Sequence, residues 1–384
     1  MSMSLPILPL DLQLEIFSYL PCKAIVRFMI LSHLHHSLLI SPDFISRHHS
    51  KSRNKFFVLV PSSTPCLCED DDHLTLFQNL TLPFVHPTFH NKIIGICNGI
   101  ICMERNHDIF FINPMIRYCF ELALHDDEDG SIYSYGSISS RSIYSYGFIS
   151  RGLSDYLVVK IDSDPKYYYR NDKGELIPPR NVPRNAWVYT YVEDDWRPLE
   201  IPNCSLCTTE SFGYNGVVYY GLLHWGAKKW VENAWYYFIL TFDPQTEVFG
   251  ELLLADSLVA AHYHPQLCES GVFVGIFVVQ NSNKPLTVYS STLFGINPDI
   301  HKHILGFPFL LFHRDDGTLL FGVEFNPAQY LLRLLDISHE TVTVLNNIGR
   351  TISEDLYIGY SSTSLVLLDE VSASSKYYAR HILL

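Results

Sequence analysis

Cys204-Ser-Leu-Cys207 has the two-residue gap with which paired thiolates grip a metal ion or form a redox dithiol. A tetrahedral zinc site needs a second pair. The nearest candidates are Cys66/Cys68, His262/His264 and His301/His303, and none repeats the first spacing. The reading is therefore structural thiols and surface imidazoles, with no metal and no other cofactor expected. Asp194 and Asp243 stand at chain reversals, where a carboxylate bonds its own backbone, so they read as turn residues rather than as an acid/base pair. No G-x-S-x-G elbow, P-loop or G-x-G-x-x-G is present. These residue types point to a binding protein, not to an enzyme.

The chain that must position such residues has 384 of them, 47% hydrophobic and 17% charged, with 24 Phe, 24 Tyr and 5 Trp. That is far too apolar for a disordered or collagen-like chain, and it implies a sizeable core. Lys and Arg number 27 against 40 Asp and Glu, a net charge of −13. No basic field exists to hold a polyanion, so neither nucleic acid nor an anionic membrane surface is an expected partner. The longest apolar run, Val272 to Val279, falls well short of the roughly 20 residues that span a bilayer. The N-terminus, MSMSLPILPLDLQLEIF, lacks a cationic n-region and carries Asp11 and Glu15, so it is expected to be mature structure. The nine cysteines are an odd number. Cys22, Cys97, Cys102, Cys119 and Cys268 sit inside apolar runs as reduced thiols would, which points to the cytosol or nucleus.

Charge divides the chain. Residues 1–60 hold six Lys/Arg against three acids, net +3, and the remainder 21 against 37, net −16. In the first part Leu12, Ile16, Tyr19 and Leu20 recur at i, i+4, i+7 and i+8, which predicts a helix from about Leu10 to Leu20 with Pro9 in its first turn and Pro21 as its stop. Ala24, Ile25, Phe28, Leu31, Leu38 and Leu39 continue the helical texture, and the basic stretch Ser46 to Asn54 leads into a strand from Phe56 to Val60. So few short helices do not bury their own apolar faces, and the module is expected to need a protein against it.

The stretch LPLDLQLEIFSYLPCKAIVRF from Leu8 to Phe28, followed by LLISPDF from Leu38 to Phe44, resembles an F-box. The resemblance implies a three-helix module docking on the Skp adaptor of a cullin-RING (SCF) ubiquitin ligase. Its adaptor-facing or packing positions fall on Leu8, Pro9, Leu12, Ile16, Leu20, Pro21, Ile25, Val26 and Phe28. Where the plant family reads CKSW, this chain has Ser32, His33, Leu34 and His35, so the aromatic anchor becomes an imidazole. Exchanging a buried indole for His35 is expected to cost about 2 to 4 kcal/mol of packing or binding.

From residue 56 the texture changes to β-branched and aromatic segments bounded by Gly, Asn, Asp or Pro: Ile93 to Met103, Asp108 to Pro114, Asp155 to Ile161, Ala186 to Val192 and Tyr236 to Pro244. Asp194, Asp243 and Asp336, with a weaker turn near Tyr289, are spaced by roughly 46 to 49 residues, a propeller-blade period. The interval from Asn113 to Asp194 is about 81 residues, which implies a missing blade or an insertion. A β-propeller is the economical architecture because radial repetition hides sheet edges.

GICNGIICM, FINPMIR, SYGFISRGLSDYLVVKI, VYTYVEDDWRPLEIP, GLLHW, ILTFDPQTEVFGELLL and STSLVLL are similar, in order, to the landmarks of plant F-box-associated domains, a group that includes F-box/kelch-repeat and S-locus F-box proteins. The expected fold is thus an α+β multidomain chain: a three-helix F-box over 1–48, a linker and first strand over 49–60, and a large all-β, β-propeller-like domain over 61–384. The resemblance implies a non-catalytic substrate-recognition subunit, partnered by the Skp adaptor and cullin and by a protein client that the acidic domain would prefer basic. S-locus relatives recognise secreted ribonucleases, which are often basic. The alternatives are a propeller interaction module that no longer engages the ligase, and a glycan-binding or kelch-type propeller. SIYSYGSIS at Ser131 to Ser139 recurs as SIYSYGFIS at Ser142 to Ser150, and the first copy reads as a duplication that extends an exposed loop; the Tyr- and Pro-rich stretch Asp164 to Arg184 reads as a second exposed loop.

Overall fold

Apolar residues run without interruption through several strands, as in Ile100–Met103 and Tyr156–Val159, and every one of them is buried. A strand buried on both faces requires its sheet to lie between two others. The computed structural model describes residues 8–29, 32–51, 55–59, 66–69, 76–79, 91–105, 108–116, 118–122, 144–162, 169–170, 176–177, 185–202, 204–206, 215–231 and 234–253, then the strands given below up to residue 362, and residues 364–366. The first copy of the Tyr/Ser repeat and the pairs His262/His264 and His301/His303 lie outside the described residues.

Four helices open the chain, α1 (Leu10–Phe17), α2 (Cys22–Met29), α3 (His33–Leu39) and α4 (Pro42–Lys51). Pro9 precedes α1, and its carbonyl accepts the first helical N–H groups from Leu12 and Gln13. Pro21 does the same for α2, through Ala24 and Ile25. The His-rich stretch forms a helix of its own, and Ser41 starts the next by accepting the Phe44 N–H on its hydroxyl. Four segments thus occupy the stretch for which the resemblance implies three.

The β domain is a series of antiparallel meanders. β1 (Lys55–Leu59), β2 (Cys66–Glu69) and β3 (Leu76–Asn79) pair in order, as do β4 (Asn91–Cys97), β5 (Ile100–Arg105), β6 (Asp108–Asn113) and β7 (Tyr118–Glu121). β8 (Tyr144–Ser150) and β9 (Tyr156–Asp162) are followed by a small hairpin, β10 (Tyr169–Arg170) with β11 (Leu176–Ile177), before β12 (Ala186–Thr190) and β13 (Asp195–Leu199) complete their sheet. β14 (Ser205–Leu206) and β15 (Val217–Tyr219) both pair with β16 (Leu222–Val231), which continues through β17 (Ala234–Asp243) to β18 (Val248–Leu253). Two further meanders, β19 (Gln266–Ser270), β20 (Phe273–Val278), β21 (Thr287–Thr292), β22 (Gly295–Asn297) and β23 (Pro308–His313), β24 (Thr318–Asn326), β25 (Gln329–Asp336), β26 (Thr341–Val344), are joined through one parallel pair, Ser270 with His313.

Last, β27 (Ile358–Ser362) returns to pair along the whole of β1, from Lys55 with Ser362 to Leu59 with Ile358. The innermost strands β27, β4, β8, β15, β19 and β23 touch in that order, and β23 meets β27 again. The described strands therefore close a propeller-like ring of six meanders, five of four strands and one of five, with the first shared between the two ends of the β domain. Closure turns the innermost strand edges toward one another, where they are short and protected.

Three of the landmark Asx residues close the third strand of a unit, Asn113 in β6, Asp243 in β17 and Asp336 in β25, whereas Asp194 ends the turn after β12, in the left-handed position that Glu247 holds after β17. Tyr289 does not mark a turn. It lies inside β21, paired with Ile276, because Thr-Val-Tyr-Ser is a run of strand formers. Asn113 and Asp194 belong to consecutive units, so the long interval is an insertion, falling between β7 and β8 and between β9 and β12.

Period-two alternation deals the side chains of each strand to two different layers. From β5 and β6, Ile101, Met103, Phe110 and Ile112 join Leu67 in one cluster, while Ile100, Cys102, Ile109 and Phe111 join β8 and β9 in the next. From β9, Tyr156 and Val158 face that second layer and Leu157, Val159 and Ile161 a third, with Trp225, Phe238 and Phe242. The second layer is aromatic: the Phe111 ring lies 5.1 Å from Phe148 and 5.9 Å from Tyr156. Cys22, Ile25, Leu39, Phe44 and Ile45 of the helices belong to that same buried cluster, so the helical module and the β domain share one core.

Candidate protein-docking site

Helix α1 has two apolar faces, and only one is covered. Leu14 and Phe17, with Leu20 just beyond the helix, pack against the shared core. On the opposite side Leu12 and Ile16 are 51% and 50% exposed, with Leu8 at 50% and Tyr19 at 69%. Helical spacing puts Leu12 and Ile16 on one face of α1, with Leu8 just before the helix and Tyr19 just after it. Leu34 of α3 is exposed as well. A run of large apolar side chains in water marks a candidate contact surface.

Of the residues expected to face an adaptor, Leu8, Pro9, Leu12, Ile16 and Pro21 are exposed, and Leu20, Val26, Phe28 and His35 are half-buried. Ile25 is fully buried in the shared core, so it supports the face from behind. Phe28 does likewise, its ring 5.0 Å from that of Phe17. The resemblance does not place Tyr19 or Leu34 among the adaptor-facing positions; the spacing of Leu12 and Ile16 puts Tyr19 on their face, whereas nothing in the pattern marks Leu34.

The face is braced by polar contacts. Glu15 of α1 is hydrogen-bonded by the Lys51 ammonium of α4, with the Arg47 guanidinium 3.9 Å away. Lys51 also donates to the Ser18 hydroxyl at 3.0 Å and lies 4.1 Å over the Tyr19 ring. The bond to Lys51 holds the Glu15 carboxyl below its ordinary value, and the same bond raises the Lys51 ammonium. Buried His48 faces the carbonyl of Leu20 at 2.8 Å, so its Nε2–H donates and pins α4 to the end of α1. The His35 ring packs edge-to-face with Phe17, centroids 5.8 Å apart, and its Nε2 lies 3.2 Å from Oε1 of Gln13. The polar group that the departure from CKSW introduces is therefore partnered.

On the β domain, the turns after β8, β12 and β17 meet through a shared carboxylate. Arg151 bonds Asp155 at 2.7 Å and Glu247 at 3.0 Å, and Arg197 bonds the same Glu247 oxygen and approaches Glu193 at 3.7 Å. Asp243 folds its turn as its residue type predicts, accepting the Gln245 N–H at 2.8 Å and the Thr246 hydroxyl at 2.9 Å. Asp194 accepts the Tyr189 hydroxyl at 2.7 Å. Beside this rim Val192, Tyr220 and Val248 are exposed. Among the described residues no three His, Cys, Asp or Glu side chains are grouped to hold a metal ion, and Cys204 is buried. No helix among them is long and apolar enough to cross a membrane.

Comparison with known proteins bears on both parts. The family described as the F-box associated beta propeller domain matches residues 63–266, and the F-box domain matches residues 5–47. An F-box/kelch-repeat protein of Arabidopsis thaliana is 27% identical over 269 residues, 64% of this chain and 55% of that protein. A second Arabidopsis thaliana protein, named as an F-box protein, is 29% identical over 124 residues, 30% of this chain and 31% of its own length. The matches thus span from about a third to about half of the relatives' lengths. Among solved structures, TolB from Acinetobacter baumannii superposes with a TM-score of 0.42 at 8% identity, covering 82% of this chain and 70% of that one. The match over residues 63–266 takes in more than half of the chain, which therefore belongs to the F-box associated beta propeller domain family and carries an F-box domain at its N-terminal end.

Proposed function

We propose that the chain is the substrate-recognition subunit of an SCF E3 ubiquitin ligase. The observation that carries this reading is the uncovered stripe Leu8, Leu12, Ile16 and Tyr19 on an F-box whose other face is built into the core of the β domain. The stripe binds the Skp adaptor and, through it, the cullin. The β domain binds a protein client. The subunit performs no chemistry itself: a shared core holds client and ligase in a fixed relation, which raises the effective concentration of a client lysine near the ubiquitin-loaded E2. Burial of the exposed half of each Leu or Ile contributes about 1 kcal/mol of apolar transfer, from which the cost of association is subtracted.

The test is a titration of the purified chain with a plant Skp adaptor, beside Leu12→Ala/Ile16→Ala. Binding tighter than about 1 μM, or −8 kcal/mol, that the double variant loses without unfolding supports the reading. Equal binding by both, or none by either, sinks it. The net charge of −16 beyond residue 60 favours a basic client, as the S-locus type would take, whose capture weakens as salt rises. A client whose capture is indifferent to salt would contradict that charge argument.

A further inference from the structure

The segment before α1 carries one end of the exposed stripe, yet Pro9 makes no side-chain cap and its carbonyl is already taken by the helix. What reaches Leu8 is Gln13. Its Nε2 donates to the Leu8 carbonyl at 2.6 Å, and its Oε1 faces His35 Nε2 at 3.2 Å. The carbonyl of Leu8 only accepts, so it fixes which end of the amide is the nitrogen; the remaining end is an acceptor, so it fixes His35 as the donor. His35 Nε2–H, the Gln13 amide and the Leu8 carbonyl form a directed relay from α3 across α1 to the entry segment.

We infer that His35 and Gln13 are positioning residues that hold Leu8 in the docking face, so that the imidazole standing where CKSW places its aromatic works through Leu8 and not by direct contact. His35 is half-buried and packs edge-to-face with Phe17, which suits a brace. Leu8 is 50% exposed, and its carbonyl is held by the Gln13 amide. An untethered Leu8 would have to be ordered at the moment of docking, and that cost appears as lost affinity. The inference rests on the proposed adaptor docking.

The experiment is a double-mutant cycle read as adaptor affinity, with amide hydrogen exchange over residues 8–13 in the free chain as a second readout. Gln13→Ala and His35→Phe, which keeps a ring but loses the donor, are each expected to weaken binding by about three- to tenfold. His35→Gln, which restores a donor, recovers affinity. With Leu8→Ala already present, Gln13→Ala has no further effect on affinity, whereas a merely structural role for Gln13 gives losses that multiply. If wild type binds and Gln13→Ala binds as well, or if its effect multiplies with that of Leu8→Ala, the relay is refuted while the adaptor reading stands. If wild type does not bind, the adaptor reading fails; faster exchange at the entry segment in Gln13→Ala then still supports the tether, and unchanged exchange refutes it.

Discussion

The side-chain amide of Asn113 donates to the carbonyl of Val366 at 2.9 Å, across 253 residues of sequence. A second bond reaches the carbonyl of Ser364 at 3.0 Å, and the amide oxygen accepts the N–H of Met115, also at 3.0 Å. Asn113 is fully buried, and Leu365 and Val366 enter the core shared with the F-box. One residue at the end of β6 thus fastens the chain that follows β27, the strand that closes the ring.

Asn113→Ala is expected to destabilise the protein by about 2 to 4 kcal/mol, because it leaves two buried carbonyls and one N–H without partners. Asn113→Asp should be no better, since a carboxylate offers no donor to those carbonyls. Chemical denaturation measures both. A loss under about 0.5 kcal/mol in the alanine variant would mean that the C-terminal segment is held by packing alone.

Gly216 is required by Trp225. A Cβ at Gly216 would lie 2.5 Å from Cε2 of the indole, and one at Gly147 would lie 2.6 Å from its Cζ2. The ring does not retreat freely, because its Nε1–H is directed at the Tyr146 carbonyl at 3.3 Å and the Gly216 N–H donates to that same oxygen. Gly216→Ala should therefore cost about 1 to 3 kcal/mol in thermal unfolding. In a Trp225→Leu background the added cost of Gly216→Ala should shrink, and full additivity would contradict the contact.

The spacing of Leu12, Ile16 and Tyr19 made helix α1 legible in the sequence, and Asp194, Asp243 and Asp336 marked the period of the ring, because both depend on neighbours a few residues away. Depth was not legible. Ile25 and Leu12 are equally apolar, yet one is fully buried and the other half exposed, and that difference is set by what the β domain covers. The pairing of β27 with β1 and the bond between Gln13 and His35 join residues that no local pattern relates. Tyr289 shows the opposite failure, a period extended by counting where the residues themselves spell a strand.

Tyr220 stands in the left-handed region at φ 46°, followed by Gly221 at φ 74°, in the two-residue turn between β15 and β16. The same conformation between β4 and β5 is filled by Asn98 and Gly99 at φ 50° and 81°, the pair that such hairpin turns favour. A bulky residue is strained there, and its ring is 75% exposed. Tyr220→Asn is expected to raise stability by about 0.5 to 1 kcal/mol, net of the lost contact with Tyr219. A fall in the unfolding midpoint would show that the ring contact outweighs the strain.

The F-box should weaken in mild acid. His48 and His49 of α4 each have a buried Nδ1 without a hydrogen-bond partner. Burial pushes both imidazoles below their ordinary value of 6.5; the bond to Leu20 partly offsets this for His48, and the proximity of His48 adds to it for His49. The folded state resists the proton that the unfolded chain accepts, so their contribution is fully present above pH 6.5 and is lost as pH falls from there through the lowered folded values. Each group contributes a slope of up to about 1.4 kcal/mol per pH unit within that window. His48→Gln/His49→Gln keeps a donor available for the Leu20 carbonyl and removes both titrations. Hydrogen exchange of α4 between pH 7.5 and 5.5, corrected for the intrinsic rate, should show the wild type losing protection steeply and the double variant losing less. Parallel losses in the two proteins would place the acid sensitivity elsewhere in the chain.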